Sequence, residues 1–157
     1  AYNVVVRILH DVMQIGFGNL QWKSVQNLLK ASSIYRHGAV LKGNAHDIVQ
    51  DIARGCGLEF RIIKGAAQFL PRGQALAGNA YRISASTGMI GNPSLDNQGV
   101  LSVETEMLPG LYPGSPIVMD SRFIPGAFRI VSMETVGSTF ENDWKHRLEC
   151  KRFNLAP

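Results

Sequence analysis

The chain has 157 residues, 45% of them hydrophobic and 18% charged. A chain of this size buries about 70% of the surface that its unfolded form exposes, so it folds without a disulfide or metal staple, and its composition excludes a disordered or collagen-like polymer. The net charge of +4 comes from 16 basic and 12 acidic residues, but no Lys/Arg run exceeds two, as at Lys151-Arg152, so a solvated, mildly basic surface is favoured over a dedicated anion-binding stripe.

The apolar runs are only a few residues long, so stable membrane insertion is not expected. Neither a basic n-region nor a clean apolar h-region marks a signal peptide. Cys56 and Cys150 are far apart and fit neither a disulfide framework nor a zinc site. Both are expected to pack as small apolar side chains.

In chain order, Tyr2 to Leu9 is short and β-branched, which predicts a strand. A Gly-containing stretch, Gln14 to Leu20, follows. From Trp22 to Ser32 the residues Trp22, Val25, Leu28 and Leu29 have helical spacing. A short strand pair running into Ser32-Ser33-Ile34-Tyr35 is the alternative there. Asn44 to Gly57 carries the clearest local signal. Asn44 is an N-cap, Asp47 gives a capping-box-like start, and Ile48, Val49, Ile52, Ala53 and Cys56 form one apolar stripe. Gly55 and Gly57 supply the stop, and Leu58 to Ile63 reads as a strand.

After Lys64 the texture changes: Gly and Pro recur, and the segments between them alternate. Five strands are predicted, over residues 80–85, 100–107, 116–121, 128–134 and 144–153. In the second of these strands Leu101, Val103, Thr105 and Met107 share one face, and in the final strand Trp144, His146, Leu148 and Cys150 share one. The expected fold is α+β and mainly β: an antiparallel barrel or sandwich with a small strand–helix–strand insert. The boundary is drawn near residues 64–74, giving an N-terminal part over 1–64 and a β-barrel part over 65–157.

A search for chemistry nominates no catalytic, cofactor-binding or metal-binding residue. The histidines are His10, His37, His46 and His146. The pairs His10-Asp11 and His46-Asp47 are sequence neighbours, a spacing at which side chains do not face each other on a helix or strand. No nucleophile elbow, phosphate loop or metal-ligand spacing is present, and Gly16-Phe-Gly18 is too short for a phosphate loop. For single-stranded nucleic acid, Arg61, Lys64, Arg72, Arg82 and Lys151 interleave with Phe60, Phe69, Tyr81 and Phe153. No RNP-like or KH-like motif accompanies them.

Several motifs then occur in order. They are Gly43-Asn-Ala-His-Asp-Ile-Val-Gln-Asp-Ile-Ala-Arg-Gly-Cys-Gly-Leu58, Thr87-Gly-Met-Ile-Gly-Asn-Pro93 and Gly99-Val-Leu-Ser-Val-Glu-Thr-Glu-Met-Leu-Pro109. Leu111-Tyr-Pro-Gly-Ser-Pro-Ile-Val-Met-Asp120, Phe128-Arg-Ile-Val-Ser-Met-Glu134 and Asn142-Asp-Trp144 follow. Together, over roughly residues 38–153, they resemble the baseplate hub proteins of contractile-tailed bacteriophages and related injection systems. Each motif also has a barrel-building reason. Pro109-Gly110 and Pro113-Gly114 reverse the chain, and Trp144 anchors the last strand. Gly88 and Gly91 bracket Met89 and Ile90, which places two apolar side chains on a tight loop as a candidate interface.

The resemblance implies a tail-tube-like β-barrel in a homotrimer or other ring. The implied partners are the tail tube protein, a spike or tip protein and other baseplate proteins. DNA would pass through the lumen without sequence-specific contact, and the protein would reside in the virion as a structural component rather than an enzyme. Family members usually carry two tube-type barrels. Here there is room for one barrel and the insert, so the first 40 residues supply part of a reduced second barrel, or the chain is a shortened or partial hub. The rival readings are a basic β-barrel that binds nucleic acid and a tail-associated hydrolase.

Overall fold

The computed structural model describes residues 1–19, 23–32, 40–140 and 143–153. The chain divides into two compact units, Ala1–Arg72 and Gly73–Pro157. The fold is mainly β, with a few helices and a curled six-stranded half-barrel sheet.

The first unit begins with a helix, α1 (Tyr2–Arg7), which widens into a π-helical turn over Ile8–Met13. This corrects the strand expected over Tyr2 to Leu9. Val5 and Leu9 are both fully buried and lie four residues apart, one helical turn, so a helix places both in the core. That burial overrides the strand preference of Val4-Val5-Val6. The turn ends at Gln14 in a left-handed conformation (φ 51°).

The next stretch pairs with a strand. Gly16 accepts from the amide of Ala67 at 2.7 Å and donates to the carbonyl of Gly65 at 2.9 Å. Gly18 has φ +51°, and a Cβ there would overlap the Ala67 carbonyl, so only glycine fits. The buried Asn19 side chain bonds both the amide and the carbonyl of Phe69, as a strand partner would.

Helix α2 (Lys23–Ala31) buries Val25 and Leu29. Trp22, and Ser33-Ile34-Tyr35 of the alternative strand pair, lie outside the described residues. Helix α3 (Ala45–Gly55) starts at Asn44, whose Oδ1 accepts from the His46 amide at 3.0 Å. The Asp47 carboxylate meets the His46 ring at 3.3 Å and so does not complete a capping box. Val49, Ile52 and Ala53 are buried, and Gly57 takes φ +74° just past the helix.

Strands β1 (Leu58–Ile63) and β2 (Ala66–Pro71) form an antiparallel hairpin. β2 was not expected, because Ala66-Ala67 and Pro71 are weak strand formers. The hairpin is made by a two-residue turn in which Lys64 and Gly65 both have positive φ, 50° and 73°. Pairing with β1 is what assigns residues 66–71 to the first unit.

The second unit is one sheet in the order β3-β6-β7-β8-β5-β4. Its strands are β3 (Tyr81–Ile83), β4 (Met89–Leu95), β5 (Val100–Glu106), β6 (Pro116–Met119), β7 (Gly126–Ser138) and β8 (Asp143–Arg152). All five predicted strands are there, and β4 is additional. The sheet is not wholly antiparallel, because β3 runs parallel to β6. A parallel pair needs a long crossover, which β4, β5 and residues 107–115 provide.

Although β3 and β4 are the two outermost strands, only residues 84–88 connect them, and the Met89 amide donates to the Ser84 carbonyl at 3.0 Å. The sheet must therefore curl until its edges meet. They meet out of step. Ile83 is level, through Met119, with Gly126 on β7, whereas Met89 is level, through Thr105 and His146, with Thr135. A stagger of this kind is what tilts strands in a closing sheet.

One face is apolar: Leu101, Cys150 and Ile130 form one cross-strand row, and Val103, Leu148 and Met133 the next. A bulge between Ile130 and Ser132 shifts β7 by one residue and keeps Met133 on this face.

Ile52 of α3 is 1% exposed, so Ile52→Ala should cost about 2–5 kcal/mol by leaving a cavity. Denaturant unfolding monitored on the first unit checks this, and an unchanged midpoint would take Ile52 out of the core.

Candidate assembly surfaces

The described histidines fall into two environments. His10 Nδ1 lies 2.7 Å from Asp11 Oδ1, and His46 Nδ1 lies 3.3 Å from Asp47 Oδ1. Both neighbour pairs thus do meet, contrary to the spacing argument. They do so at exposed positions, where the side chains fold back along the surface. His146 is buried on β8, with Nδ1 2.9 Å from Thr135 Oγ1. His37 lies outside the described residues. Among the described residues no group of three or more His, Cys, Asp or Glu has metal-binding geometry.

Of the aromatic and basic residues weighed for nucleic acid, several are engaged within their own unit. Phe60 and Phe69 pack as a tilted pair, ring centroids 5.2 Å apart, and both are buried in the first unit's core, so neither presents a face to a base. In the second unit Arg82 is held by Asp120 at 2.8 Å. Arg72 bonds the Arg54 carbonyl at 3.4 Å.

The polar face of the sheet is ordered in rows. Ser94, Ser102, Glu149 and Ser132 form one row across four strands, and Glu104, Arg147 and Glu134 form the next. Small serines beside long charged side chains leave a trough of about 660 Å³. Arg147 bonds Glu104 at 2.9 Å and Glu134 at 3.4 Å, and Lys145 reaches Glu104 at 3.2 Å. The Arg147 hydrogen bond, then that of Lys145, holds the Glu104 carboxyl below its ordinary range, and Glu104 in turn raises the Arg147 guanidinium. On the opposite face, burial and then the Glu149 charge push the Cys150 thiol up to about 12, so it is an inert core group.

Met89 and Ile90 do not ride a loop together. They open β4 and point to opposite faces: Met89 packs on the apolar core, while Ile90 sits beside Glu104 and is 39% exposed. Ile90 alone therefore remains as surface. Larger exposed apolar groups, which the sequence reading did not single out, are Phe140 at 98% and Phe123 at 77%. Both sit in polar, turn-like stretches, Ser138-Thr-Phe140 and Ser121-Arg-Phe123. An aromatic residue at a turn is the signal that was available.

The charged row makes a pH-dependent contribution. The folded pKa of Glu104 is depressed, so its contribution is present above the unfolded carboxylate pKa and is lost as pH falls through the folded value. Glu104→Gln should therefore be slightly less stable than the parent at neutral pH, and the two should converge in acid. Urea unfolding across pH checks this, and a gap that persists below the carboxylate range would contradict it.

Compared with known protein families and with curated proteins, the chain matches none of them.

Proposed function

We propose that this protein is a structural subunit of a contractile phage tail, a baseplate or tail hub component that assembles into a ring around the tail axis. The ring joins the tail tube to the spike or tip and lines the conduit for DNA. The observation that carries the reading is the half-barrel itself, because the motifs of the hub resemblance from Thr87 onward fall on its strands and turns. Thr87-Gly88 lies in the link that joins the two edges, and Pro113-Gly114 precedes β6. Trp144 lies near the start of β8.

The distribution of surface groups supports the same role. Phe140, Phe123, Trp144 and Leu95 are large, apolar and exposed on the second unit, as on a subunit that gains neighbours. The polar groups of its outer face pair with one another, Glu104 with Arg147 and Lys145, and Arg82 with Asp120. A hub acts through geometry, so a passive surface of this kind suits it. The tail-tube-like barrel is the finer form of the fold in this proposal: neighbouring half-barrels complete a continuous wall around the lumen.

Native mass spectrometry and sedimentation of the purified chain test the proposal. A closed oligomer such as a trimer or hexamer, inert toward purified cell wall, is the expected result. A monomer whose DNA affinity falls steeply with salt would overturn it in favour of nucleic-acid binding. Turnover of cell wall would overturn it in favour of a hydrolase.

A further inference from the structure

Strand β7 outruns its neighbour β6. β6 pairs with it only over Gly126–Arg129, and Ile130 is then bonded on that side by Gly114 at 2.7 Å and Ser115 at 3.0 Å. The eight residues from Val131 to Ser138 continue alongside β8 with no strand on their other side among the described residues.

The ladder directions identify the backbone groups on that open side. The Glu106 amide donates to the Gly88 carbonyl, toward β4, so its neighbour Thr105 faces β8. Alternation from the Thr105–His146 pair turns His146 and Leu148 toward β5, and Lys145, Arg147 and Glu149 toward β7. Their partners Val136, Glu134 and Ser132 therefore face β8, and Met133, Thr135 and Gly137 point N–H and C=O outward. Thr135 and Gly137 are exposed. This edge lacks the guards of the two outer ones. It is longer than the three-residue β3, it holds no proline, its bulge lies at its very start, and Glu134 is its one charge.

We propose that this edge pairs with the same edge of a second copy, antiparallel and two-fold symmetric about Thr135. In that register the outward groups meet as three pairs, Met133 with Gly137, Thr135 with Thr135 and Gly137 with Met133, and each pair exchanges two hydrogen bonds. The order of residues on the edge selects this occupant. Glu134 falls opposite Val136, and Ser132 opposite Ser138, so no like charges face each other. An axis one residue away, at Glu134, would set two carboxylates face to face. The length fits as well. Ser138 ends the strand opposite Ser132, and each hairpin turn stops where Ser115 of the other copy takes over Ile130. The Trp144 ring lies over Gly137, and Met133 of the other copy, opposite Gly137, comes in beside that ring as a sulfur–aromatic contact. The contact is isologous and stands whether or not the chain also closes a ring.

Sedimentation equilibrium and residue-resolved amide hydrogen exchange of the full chain, over a concentration series, test the contact. The chain should form dimers or even multiples, and the amides of Met133, Thr135 and Gly137 should exchange slowly when concentrated and fast when dilute. Val136→Glu sets a carboxylate opposite Glu134 twice per dimer and should weaken association about fivefold. Val136→Lys sets an ammonium there and should associate as tightly as the parent or more tightly. Equal weakening by both variants overturns the register. An oligomer in which those three amides exchange as fast as in the dilute chain overturns the contact and leaves the ring reading standing. A chain that is monomeric at every concentration overturns both.

Discussion

The bond from the Met89 amide to the Ser84 carbonyl, 3.0 Å long, ties the first residue of β4 to the residue that follows β3, and β3 and β4 are the opposite edges of a six-stranded sheet. Laid flat, such a sheet would separate its edges by about 24 Å, five spacings of ~4.8 Å. A hydrogen bond cannot span that distance, so the curl follows from the bond. Thr87 fixes the link. Its hydroxyl accepts from the Ser84 amide at 2.9 Å and donates to the Arg82 carbonyl at 2.9 Å. Gly88, at φ +90°, then turns the chain into β4, and its carbonyl accepts from Glu106 at 2.7 Å. The Thr-Gly of the motif thus has a local reason to exist, as the clasp of the half-barrel.

The clasp decides what remains available at the surface. Only the ends of the two edges are joined, so the rest of β4 lacks a strand partner on one side among the described residues. That edge is interrupted. Gly91, Asn92 and Pro93 oppose Val103 alone, Gly91 takes φ +67°, and Pro93 turns inward and is buried. A bulge with a proline is a poor template for open-ended strand addition. At β3 the opposite edge is only three residues long. A sheet guarded in this way offers little for strand addition at its two outer edges, and its exposed aromatic residues, Phe123, Phe140 and Trp144, lie away from those two edges.

Legibility in the sequence followed the range of the interaction. α3 was readable because its cap, stripe and stop are all local: Asn44, then Val49 and Ile52, then Gly57. β5 and β8 were readable because one face of each is buried, so Leu101, Val103 and Thr105 alternate with Ser102, Glu104 and Glu106. The N-terminal helix was misread because Val4-Val5-Val6 favours a strand locally, and only the distant core to which Val5 and Leu9 belong reverses that preference. β2 was missed because its stability comes from partners, β1 and the Gly16 and Asn19 contacts, rather than from its own residues. The candidate interface was half legible. Two apolar residues between glycines were visible, but the strand pairing that turns Met89 inward and Ile90 outward is a tertiary fact.

The claim on which this account depends most is that the two edges of the sheet are clasped at Ser84 and Met89. Residue-resolved amide hydrogen exchange on the dilute chain measures it directly. The account predicts slow exchange at Met89 and Glu106, whose amides are bonded to Ser84 and Gly88, and fast exchange in the bulge at Gly91 and Asn92. Exchange at Met89 as fast as in the bulge would mean that the sheet lies open, and would contradict the account.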